Sequence, residues 1–357
     1  MKYRNHIFCL LFLAILFLPL LCFGNQDSRS VLHEKRNLSA AVEMPHSLSD
    51  VNAELTADLE TYFNDHIGFR QDLVALANTV RIRILGANAV NTRVIEGKDG
   101  WLFYNPQGPG GDPIAEYTGI KTYTQEDLEN LTAYLLQIQD VCREAGSEFY
   151  LIICPNKTTI YGERYLPDYY VKAEGPGRAD LLVDYVRSNT DIPCVYNKEE
   201  LLRYSEDEYV YFKHDTHWTE LGAYVSYRDW YHLYTGQWLP PLEECAKIPI
   251  EGATDLSDQL GVTLEEETYY RVDLQRDISF EERDSDIFGY HYHSTNANGK
   301  TAMMFRDSFL IYMQPYICQD FEDSYIIPRQ IGDEDLALIA QRRPDVVIFE
   351  MVERALP

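Results

Sequence analysis

Two short clusters of the sequence hold residue types that together can carry out acyl transfer. The first is Lys213-His214-Asp215-Thr216-His217-Trp218, and the second is Met304-Phe305-Arg306-Asp307-Ser308-Phe309. A serine hydroxyl is a weak nucleophile, and it becomes reactive when a histidine that is oriented by a carboxylate takes its proton. Ser308, His217 and Asp215 therefore form a candidate catalytic triad.

The same residue types also fit simpler roles. An Asp-Ser pair that follows a strand is typical of a helix N-cap. His214, Asp215 and His217 could form half of a metal site, or a polar loop whose aspartate caps the next helix. His291 and His293 form a second candidate metal pair, although the alternating Tyr and His residues there also fit a strand with both imidazoles on one face. At the level of residue types, these alternatives stay open.

The elements that must position these clusters follow an α/β pattern. Apolar residues at helical spacing predict helices, and short apolar runs predict strands. The predicted helices cover 125–144, 179–187, 219–234 and 333–341, and the predicted strands cover 149–154, 193–196, 302–305 and 346–349. Strands that alternate with helices indicate a mostly parallel sheet that is covered on both faces. Functional groups should then lie on the loops beyond the carboxyl ends of the strands.

Composition and charge exclude some classes of function. The 357 residues include 31 Lys+Arg against 57 Asp+Glu, which gives a formal net charge of −26. Such an acidic chain lacks the basic face that a general nucleic-acid-binding protein needs. It also lacks the basic patch that would attract it to anionic lipid. The 27 Tyr are many for this length, and most are expected in the core.

The N-terminus resembles a targeting segment. Lys2 and Arg4 precede an apolar run over residues 7–23, as in an export signal. Cleavage after Gly24 would remove these two basic residues and no acidic one, so the charge would become −28. An uncleaved anchor is the alternative, because the run approaches the roughly 20 residues that span a bilayer. We therefore expect an exported protein that is periplasmic, extracellular or membrane-anchored and facing outward.

The remaining chain divides into three predicted parts. Residues 25–50 are polar and read as a linker, residues 51–95 form a helical segment that Gly68 divides, and residues 96–357 form the catalytic domain. Outside the signal, five scattered Cys contain no C-x-x-C pair, which makes a structural zinc site improbable and leaves any disulfide pairing open.

Several motifs resemble a known family and occur in its order. The segment Asp215-Thr216-His217-Trp218-Thr219, followed by Gly222-Ala223, resembles the DxHW block of the AlgX/AlgJ-type, SGNH-hydrolase-like alginate O-acetylation proteins. Other matching blocks are Tyr62 to Arg70 (YFNDHIGFR), Gly97 to Phe103 (GKDGWLF), Pro155-Asn156-Lys157, Asp255-Leu256 with Gly261, and Pro344 to Val347 with Glu350 and Glu353-Arg354.

The resemblance implies a role for each matching site residue. Ser308 would be the nucleophile, His217 the general base and Asp215 its orienting carboxylate. Asp307 would be a structural aspartate, and Arg306 replaces the family's glycine before it. The residues expected to contact substrate are Asn156, Lys157, Arg306, Trp218 and Arg354, although Trp218 fits core packing equally well.

The resemblance also implies a fold and a function. The fold would be an SGNH-hydrolase-like three-layer α/β sandwich with a mostly parallel central sheet and a short N-terminal helical segment. The function would be O-acetylation of an exported polysaccharide, with acetyl groups supplied by a membrane acyltransferase and with no cofactor or metal. A carbohydrate esterase would use the same triad, and a noncatalytic polysaccharide-binding or assembly protein is the alternative from another class. The strong acidity favours a neutral or amino-sugar acceptor over a polyuronate such as alginate.

Overall fold

Three apolar segments form the buried middle of the molecule's main sheet. A computed structural model describes residues 2–24, 39–42, 53–81, 93–106, 111–265, 267–276, 278–295 and 297–357. The strands are β1 Val94–Glu96, β2 Leu102–Tyr104, β3 Glu148–Cys154, β4 Cys194–Val195, β5 Lys247–Ile250, β6 Tyr269–Val272, β7 Phe280–Arg283, β8 Tyr290–Ser294, β9 Thr301–Phe305, β10 Asp323–Ile327 and β11 Val346–Val352. Strands β3, β9 and β11 are nearly continuous apolar runs, as expected for strands that are covered on both faces.

The main sheet has seven strands in the order β4-β3-β11-β9-β10-β8-β7. The pairs from β4 to β10 are parallel, and β8 and β7 add an antiparallel edge. Two small antiparallel pairs, β1-β2 and β5-β6, lie outside this sheet. The prediction of a mostly parallel central sheet is confirmed.

Some of the helices in the described residues cover the two faces of the sheet. The helices are α1 Lys2–Leu21, α2 Ala53–His66, α3 Arg70–Thr79, α4 Pro113–Tyr117, α5 Gln125–Ala145, α6 Lys157–Tyr165, α7 Arg178–Asn189, α8 Lys198–Tyr204, α9 Glu220–Thr235, α10 Asp255–Leu260, α11 Leu310–Ile317 and α12 Asp333–Arg342. Alternate residues of β3 point to opposite faces. Phe149, Leu151 and Ile153 join a core with α5, α7 and α12, whereas Tyr150 and Ile152 join a core with α6, α8, α9 and α11.

The helices that flank the site begin and end where the sequence supplies caps. Thr124 and Thr219 cap α5 and α9 with their hydroxyl oxygens, which accept the backbone N–H of Asp127 and Gly222. Gly146 ends α5 with a left-handed φ of 81° that costs little in a residue without Cβ. These signals explain why the predicted bounds of both helices agree with the structure within two residues.

The chain divides into two compact units. The larger comprises residues 92–254 and 265–357 and contains the seven-stranded sheet, and the smaller comprises residues 1–91 and 255–264. In the smaller unit, α2 and α3 flank Gly68, and the Asn78 amide donates to the Leu260 carbonyl oxygen at 2.6 Å. Most of the predicted linker over 25–50, and residues 82–92 of the predicted helical segment, lie outside the described residues. In the part of the chain that the structure describes, no helix is long and apolar enough to cross a membrane.

Candidate active site

The Asp-x-His motif lies on a tight turn before α9. The backbone N–H of Phe212 donates to the His217 carbonyl oxygen at 3.1 Å, and that of Thr219 donates to the Val210 carbonyl oxygen at 3.0 Å. These bonds close the loop, so that its side chains at positions i and i+2 point to one side. Asp215 Oδ1 accepts the backbone N–H of His217 at 2.9 Å, which fixes the aspartate against its own turn.

The Asp-Ser motif lies between the carboxyl end of β9 and the start of α11. The Asp307 carboxylate accepts the backbone N–H of Phe309 at 2.9 Å and that of Val352 at 2.6 Å. The Asp307 backbone N–H in turn donates to Glu350 Oε2 at 3.1 Å. Asp307 therefore joins the loop that carries Ser308 to the end of β11, which is a structural role.

The structure brings the three predicted triad residues together. His217 Nε2 lies 2.6 Å from Ser308 Oγ, and His217 Nδ1 lies 2.7 Å from Asp215 Oδ1. Both distances are short hydrogen bonds. The carboxylate holds the ring with its proton on Nδ1, which leaves the Nε2 lone pair to accept the serine proton. The arrangement can therefore generate a nucleophilic Ser308 alkoxide in the way that serine hydrolases do.

The surroundings of the triad are apolar on one side and open on the other. The His217 ring packs against the rings of Phe309 and Tyr312, with centroid distances of 5.0 and 5.4 Å. His217 and Ser308 are half-buried. The Ser308 backbone N–H donates to no atom of the described residues, so it is available to an oxyanion that forms beside Oγ.

Trp218 is wrongly predicted as a residue that stacks on sugar. It is 0% exposed, and its indole N–H donates to the Phe309 carbonyl oxygen at 2.9 Å. The side chain therefore joins the Asp-x-His turn to the Asp-Ser loop from inside the core. Of the two roles that the sequence left open for this residue, core packing is the one the structure shows.

Lys157 and Asn156 are also structural instead of substrate-contacting. Lys157 is 4% exposed, and its ammonium donates to the carbonyl oxygens of Leu102, Lys213 and Asp215 at 2.6, 2.9 and 2.9 Å. Asn156 is 2% exposed, and its amide is engaged by charged side chains on both sides. A buried polar side chain needs such partners, and once it has them it has no face left for a ligand.

Arg306 and Arg354, the two predicted arginines, are half-buried beside the nucleophile. Arg306 Nη1 donates to the Asp307 carbonyl oxygen at 3.1 Å. The Arg354 guanidinium lies 5.2 Å from the centre of the Phe309 ring. Both arginines bring positive charge to the surroundings of Ser308, and their contact with substrate stays a prediction.

Two buried glutamates beneath the site were assigned no role by sequence reasoning. Glu350 accepts the Cys154 thiol at 3.0 Å and the Asp307 backbone N–H, and burial together with the Asp307 charge raises the pKa of Glu350 well above its ordinary value. Glu353 accepts the hydroxyls of Thr159 and Tyr196, and burial raises its pKa to about 7. An acidic residue inside the apolar run of β11 was the signal that could have revealed Glu350.

The geometry argues against a metal site formed by His214, Asp215 and His217. Both ring nitrogens of His217 are already engaged by Asp215 and Ser308. His214 is buried, and burial, reinforced by the charges of Lys157 and Lys213, lowers its pKa to about 4. His214 is therefore a neutral core histidine at physiological pH.

Comparisons with known proteins match part of the chain to a family model. Residues 94–244 match the model described as "SGNH hydrolase-like domain, acetyltransferase AlgX". Over these residues, the chain is similar to that domain. The family resemblance and the fold predicted from the sequence are thereby confirmed. The matched segment contains Asp215 and His217 but ends before Ser308, so Ser308 is placed in the site by the structure alone.

Individual relatives are distant in sequence. A probable alginate O-acetylase AlgJ of Pseudomonas syringae pv. tomato is 23% identical over 217 residues, which are 61% of this chain and 50% of that protein. The chain thus matches about half the length of this curated relative. A DHHW family protein from Eubacterium siraeum has a TM-score of 0.50 at 16% identity, with 74% of this chain and 95% of that chain covered. PatB1 of Bacillus cereus, solved with a sulfonyl adduct, has a TM-score of 0.51 at 16% identity, with 73% and 96% covered. These two structures share the fold.

Proposed function

We propose that this protein is an exported O-acetyltransferase that acts on a cell-envelope or extracellular polysaccharide. The hydrogen-bonded series Ser308–His217–Asp215 is the observation that carries the proposal. The match to an acetyltransferase domain model and to a probable alginate O-acetylase supports the choice of acetyl as the transferred group.

The reaction would proceed in two balanced half-reactions. Ser308 Oγ attacks the carbonyl carbon of an acetyl donor while His217 Nε2 takes the hydroxyl proton, and His217 returns that proton to the leaving group. The acetyl-serine ester then accepts attack by a sugar hydroxyl, whose proton passes to His217 and from there to Ser308 Oγ. Asp215 stabilises the imidazolium in both halves, and the Ser308 backbone N–H is available to donate to the developing oxyanion.

A covalent label tests the nucleophile. The relative PatB1 has been solved with a sulfonyl adduct, so an aryl sulfonyl fluoride is a suitable probe here. We expect intact-protein mass spectrometry to show one adduct, and peptide mapping to place it on Ser308. An adduct on another residue, or equal labelling of the Ser308→Ala variant, would refute the assignment.

A carbohydrate esterase is the second candidate for the same site. Ser308 is half-exposed, so water can reach an acetyl-serine as readily as a sugar can. Excess glycan separates the two reactions: a transferase moves acetyl from an activated ester to the glycan, whereas an esterase releases free acetate at an undiminished rate. The convergence of three side chains at hydrogen-bonding distance argues against the noncatalytic alternative.

The proposed acceptor is a neutral or amino-sugar-containing polymer, and the proposed acetyl source is a membrane acyltransferase. A net charge of −26 repels a polyuronate at low salt. Binding of neutral and polyuronate glycans across a salt series tests the acceptor, and tighter binding of the polyuronate at low salt would refute it. Co-purification with a membrane acyltransferase tests the donor.

The proposed location outside the cytoplasm rests on the N-terminal segment. Lys2 begins α1, which carries no acidic residue in its first turn and continues through the apolar run to Leu21. Fractionation of cells that express the full chain tests the location, and N-terminal sequencing of the exported product shows whether residues 1–24 are removed.

A further inference from the structure

A second group of ligand-type side chains lies on the antiparallel edge of the main sheet. His291 and His293 occupy positions i and i+2 of β8, so their imidazoles share one face. In the register of β8 against β10, His293 lies opposite Asp323, and His291 lies opposite Tyr325. Asp323 begins β10 beside the first residue of β9, whereas Ser308 follows the other end of β9. This group is therefore separate from the triad.

Three ligand atoms of the group lie close together, and His291 reaches them through Asp323. Asp323 Oδ1 lies 2.7 Å from His291 Nε2 and 3.1 Å from His293 Nδ1. One ligand atom each from His293, Glu322 and Asp323 lie within 4.8 Å of one another. Around a tetrahedral Zn²⁺ with bonds of about 2.0–2.2 Å, ligand atoms lie about 3.3 Å apart. A bound ion would draw these three atoms closer together and replace the proton shared by His293 and Asp323.

The charges around the group favour a cation. Neither Glu322 nor Asp323 forms an ion pair with Lys or Arg among the described residues. Arg283, which lies opposite His291 in the register of β7 and β8, pairs with Glu281 at 3.1 Å, and Arg342 pairs with Asp286 at 2.6 Å. Two carboxylates that pair with no Lys or Arg of the described residues lie beside two imidazoles. Zinc and similar transition metals bind imidazole, whereas Mg²⁺ and Ca²⁺ take oxygen ligands.

The group is also held in place and open to solvent. The His291 ring stacks on the Tyr325 ring with a centroid distance of 4.5 Å and an angle of 10°. His291, His293 and Asp323 are half-buried, and Glu322 is exposed. In each histidine, the second ring nitrogen makes no hydrogen bond to a described residue. Each neutral imidazole can therefore carry its proton on this second nitrogen. The nitrogen that faces Asp323 then has a free lone pair.

We infer that His293, Asp323 and Glu322 form a binding site for Zn²⁺ or a similar transition metal, and that His291 orients Asp323 toward it. The ion would join β8 to the start of β10. The metal would be structural and not catalytic, because the length of β9 separates the group from Ser308.

Calorimetric titration of the untagged full-length protein with Zn²⁺ tests the inference. We expect one saturable equivalent and a higher thermal unfolding midpoint with Zn²⁺ than with chelator. Loss of a supporting partner weakens metal affinity by about 10–100-fold, so His291→Ala should lose at least about tenfold. His293→Ala, which removes a ligand, should lose at least as much. The matched control His232→Ala, which removes an imidazole from α9, should bind like the wild type.

Further variants separate the inference from misfolding and from the triad. Asp323→Asn keeps an acceptor for both imidazoles, so it should fold normally by circular dichroism and still bind Zn²⁺ more weakly. His217→Ala should still bind one equivalent of Zn²⁺, because the triad is a different site. Co²⁺ absorption should report nitrogen ligands in the wild type and lose that signature in the His291→Ala/His293→Ala double variant. Absence of saturable Zn²⁺ binding, or binding that the double variant leaves unchanged, would overturn the inference.

Discussion

Ser308 is the residue on which the proposed chemistry depends, and its environment is built for reactivity more than for stability. Its hydroxyl is bonded to His217 Nε2, and its loop is held by the Asp307 carboxylate and not by the serine side chain. Removal of the hydroxyl should therefore affect the reaction far more than the fold.

The first prediction concerns Ser308→Ala and His217→Ala. Each should lower the rate of acetyl transfer and ester hydrolysis on the order of a thousandfold or more, because triad members act as a unit. The double variant should lose little more than either single one. The free energy of unfolding of Ser308→Ala should change by no more than about 1 kcal/mol, since one half-exposed hydroxyl is lost.

Steady-state kinetics on an activated acetyl ester, with urea unfolding as the control, checks this prediction. Wild-type protein should also gain the mass of one acetyl group after incubation with the ester, whereas Ser308→Ala should not. Near-wild-type turnover by Ser308→Ala would show that another residue is the nucleophile.

The second prediction concerns Asp215→Asn. Asp215 Oδ1 accepts both the backbone N–H and the Nδ1 of His217. An asparagine that keeps the backbone bond can no longer stabilise the imidazolium, and its amide favours the wrong tautomer. Turnover should fall on the order of a hundredfold or more, somewhat less than in Ser308→Ala. Equal labelling of Asp215→Asn and the wild type by a sulfonyl fluoride would contradict the prediction.

At the scale of elements, three separate segments meet around one ammonium group. Lys157 is the first residue of α6, and its side chain is buried. Its ammonium donates to three carbonyl oxygens, one of β2 and two of the Asp-x-His turn. It also lies 5.0 Å from the centre of the Trp101 ring. This single side chain thereby ties the turn that carries Asp215 to the rest of the site.

The third prediction follows from that arrangement. Lys157→Met keeps the length of the side chain but leaves buried carbonyl oxygens without their donor, which costs about 1–3 kcal/mol for each such group. We expect a loss of at least about 3 kcal/mol in the free energy of unfolding, and a fall in turnover on the order of tenfold to a hundredfold as the turn shifts.

Lys172→Met is the matched control. Its ammonium pairs with Glu163 at the surface, so the substitution should change stability by no more than about 0.5 kcal/mol. Tryptophan fluorescence reports the unfolding of the larger unit, residues 92–254 and 265–357, because all four Trp lie within these ranges. Equal stability of the Lys157→Met and Lys172→Met variants would show that the buried ammonium does not hold the turn.

At the scale of the whole molecule, the acidic composition reaches into the core. Glu350 and Glu353 are buried and Asp320 is half-buried. Burial raises the pKa of each, that of Asp320 to about 6 and that of Glu353 to about 7. A buried carboxyl is more stable when protonated. The folded state therefore binds protons that the unfolded chain has already released.

The fourth prediction gives the sign of the resulting pH dependence. Because the pKa of Glu353 rises from 4.5 to about 7 on folding, its contribution to stability is greatest below pH 4.5 and is lost as the pH rises to about 7. The loss attributable to this residue should be on the order of 3 kcal/mol.

Urea unfolding of Glu353→Gln between pH 4.5 and 8 isolates this contribution. Glutamine can still accept from Asn156 and Thr159 with its carbonyl oxygen while its amide donates to the Tyr196 hydroxyl, so the variant mimics the protonated acid. The difference in stability between the variant and the wild type should grow with pH in favour of the variant. A difference that does not vary with pH would contradict the prediction.

The sequence by itself determined the parts of this protein that depend on local patterning. Apolar periodicity placed the helices, and the caps found at Thr124, Gly146 and Thr219 begin and end them within a few residues of the predicted bounds. The alternation of strands and helices determined the parallel sheet. Residue types in the Asp-x-His and Asp-Ser motifs were enough to identify Asp215, His217 and Ser308 as candidates.

Tertiary structure alone decided which of these residues meet and which are buried. Ser308 lies 91 positions from His217 in the chain, and only the packing of β9 and α11 beside the turn brings the two atoms to 2.6 Å. The same packing encloses Trp218, Asn156 and Lys157, whose polar groups suggested ligand contact in the sequence but serve the core. Burial and long-range distance are properties of the packed chain, and no local pattern encodes them.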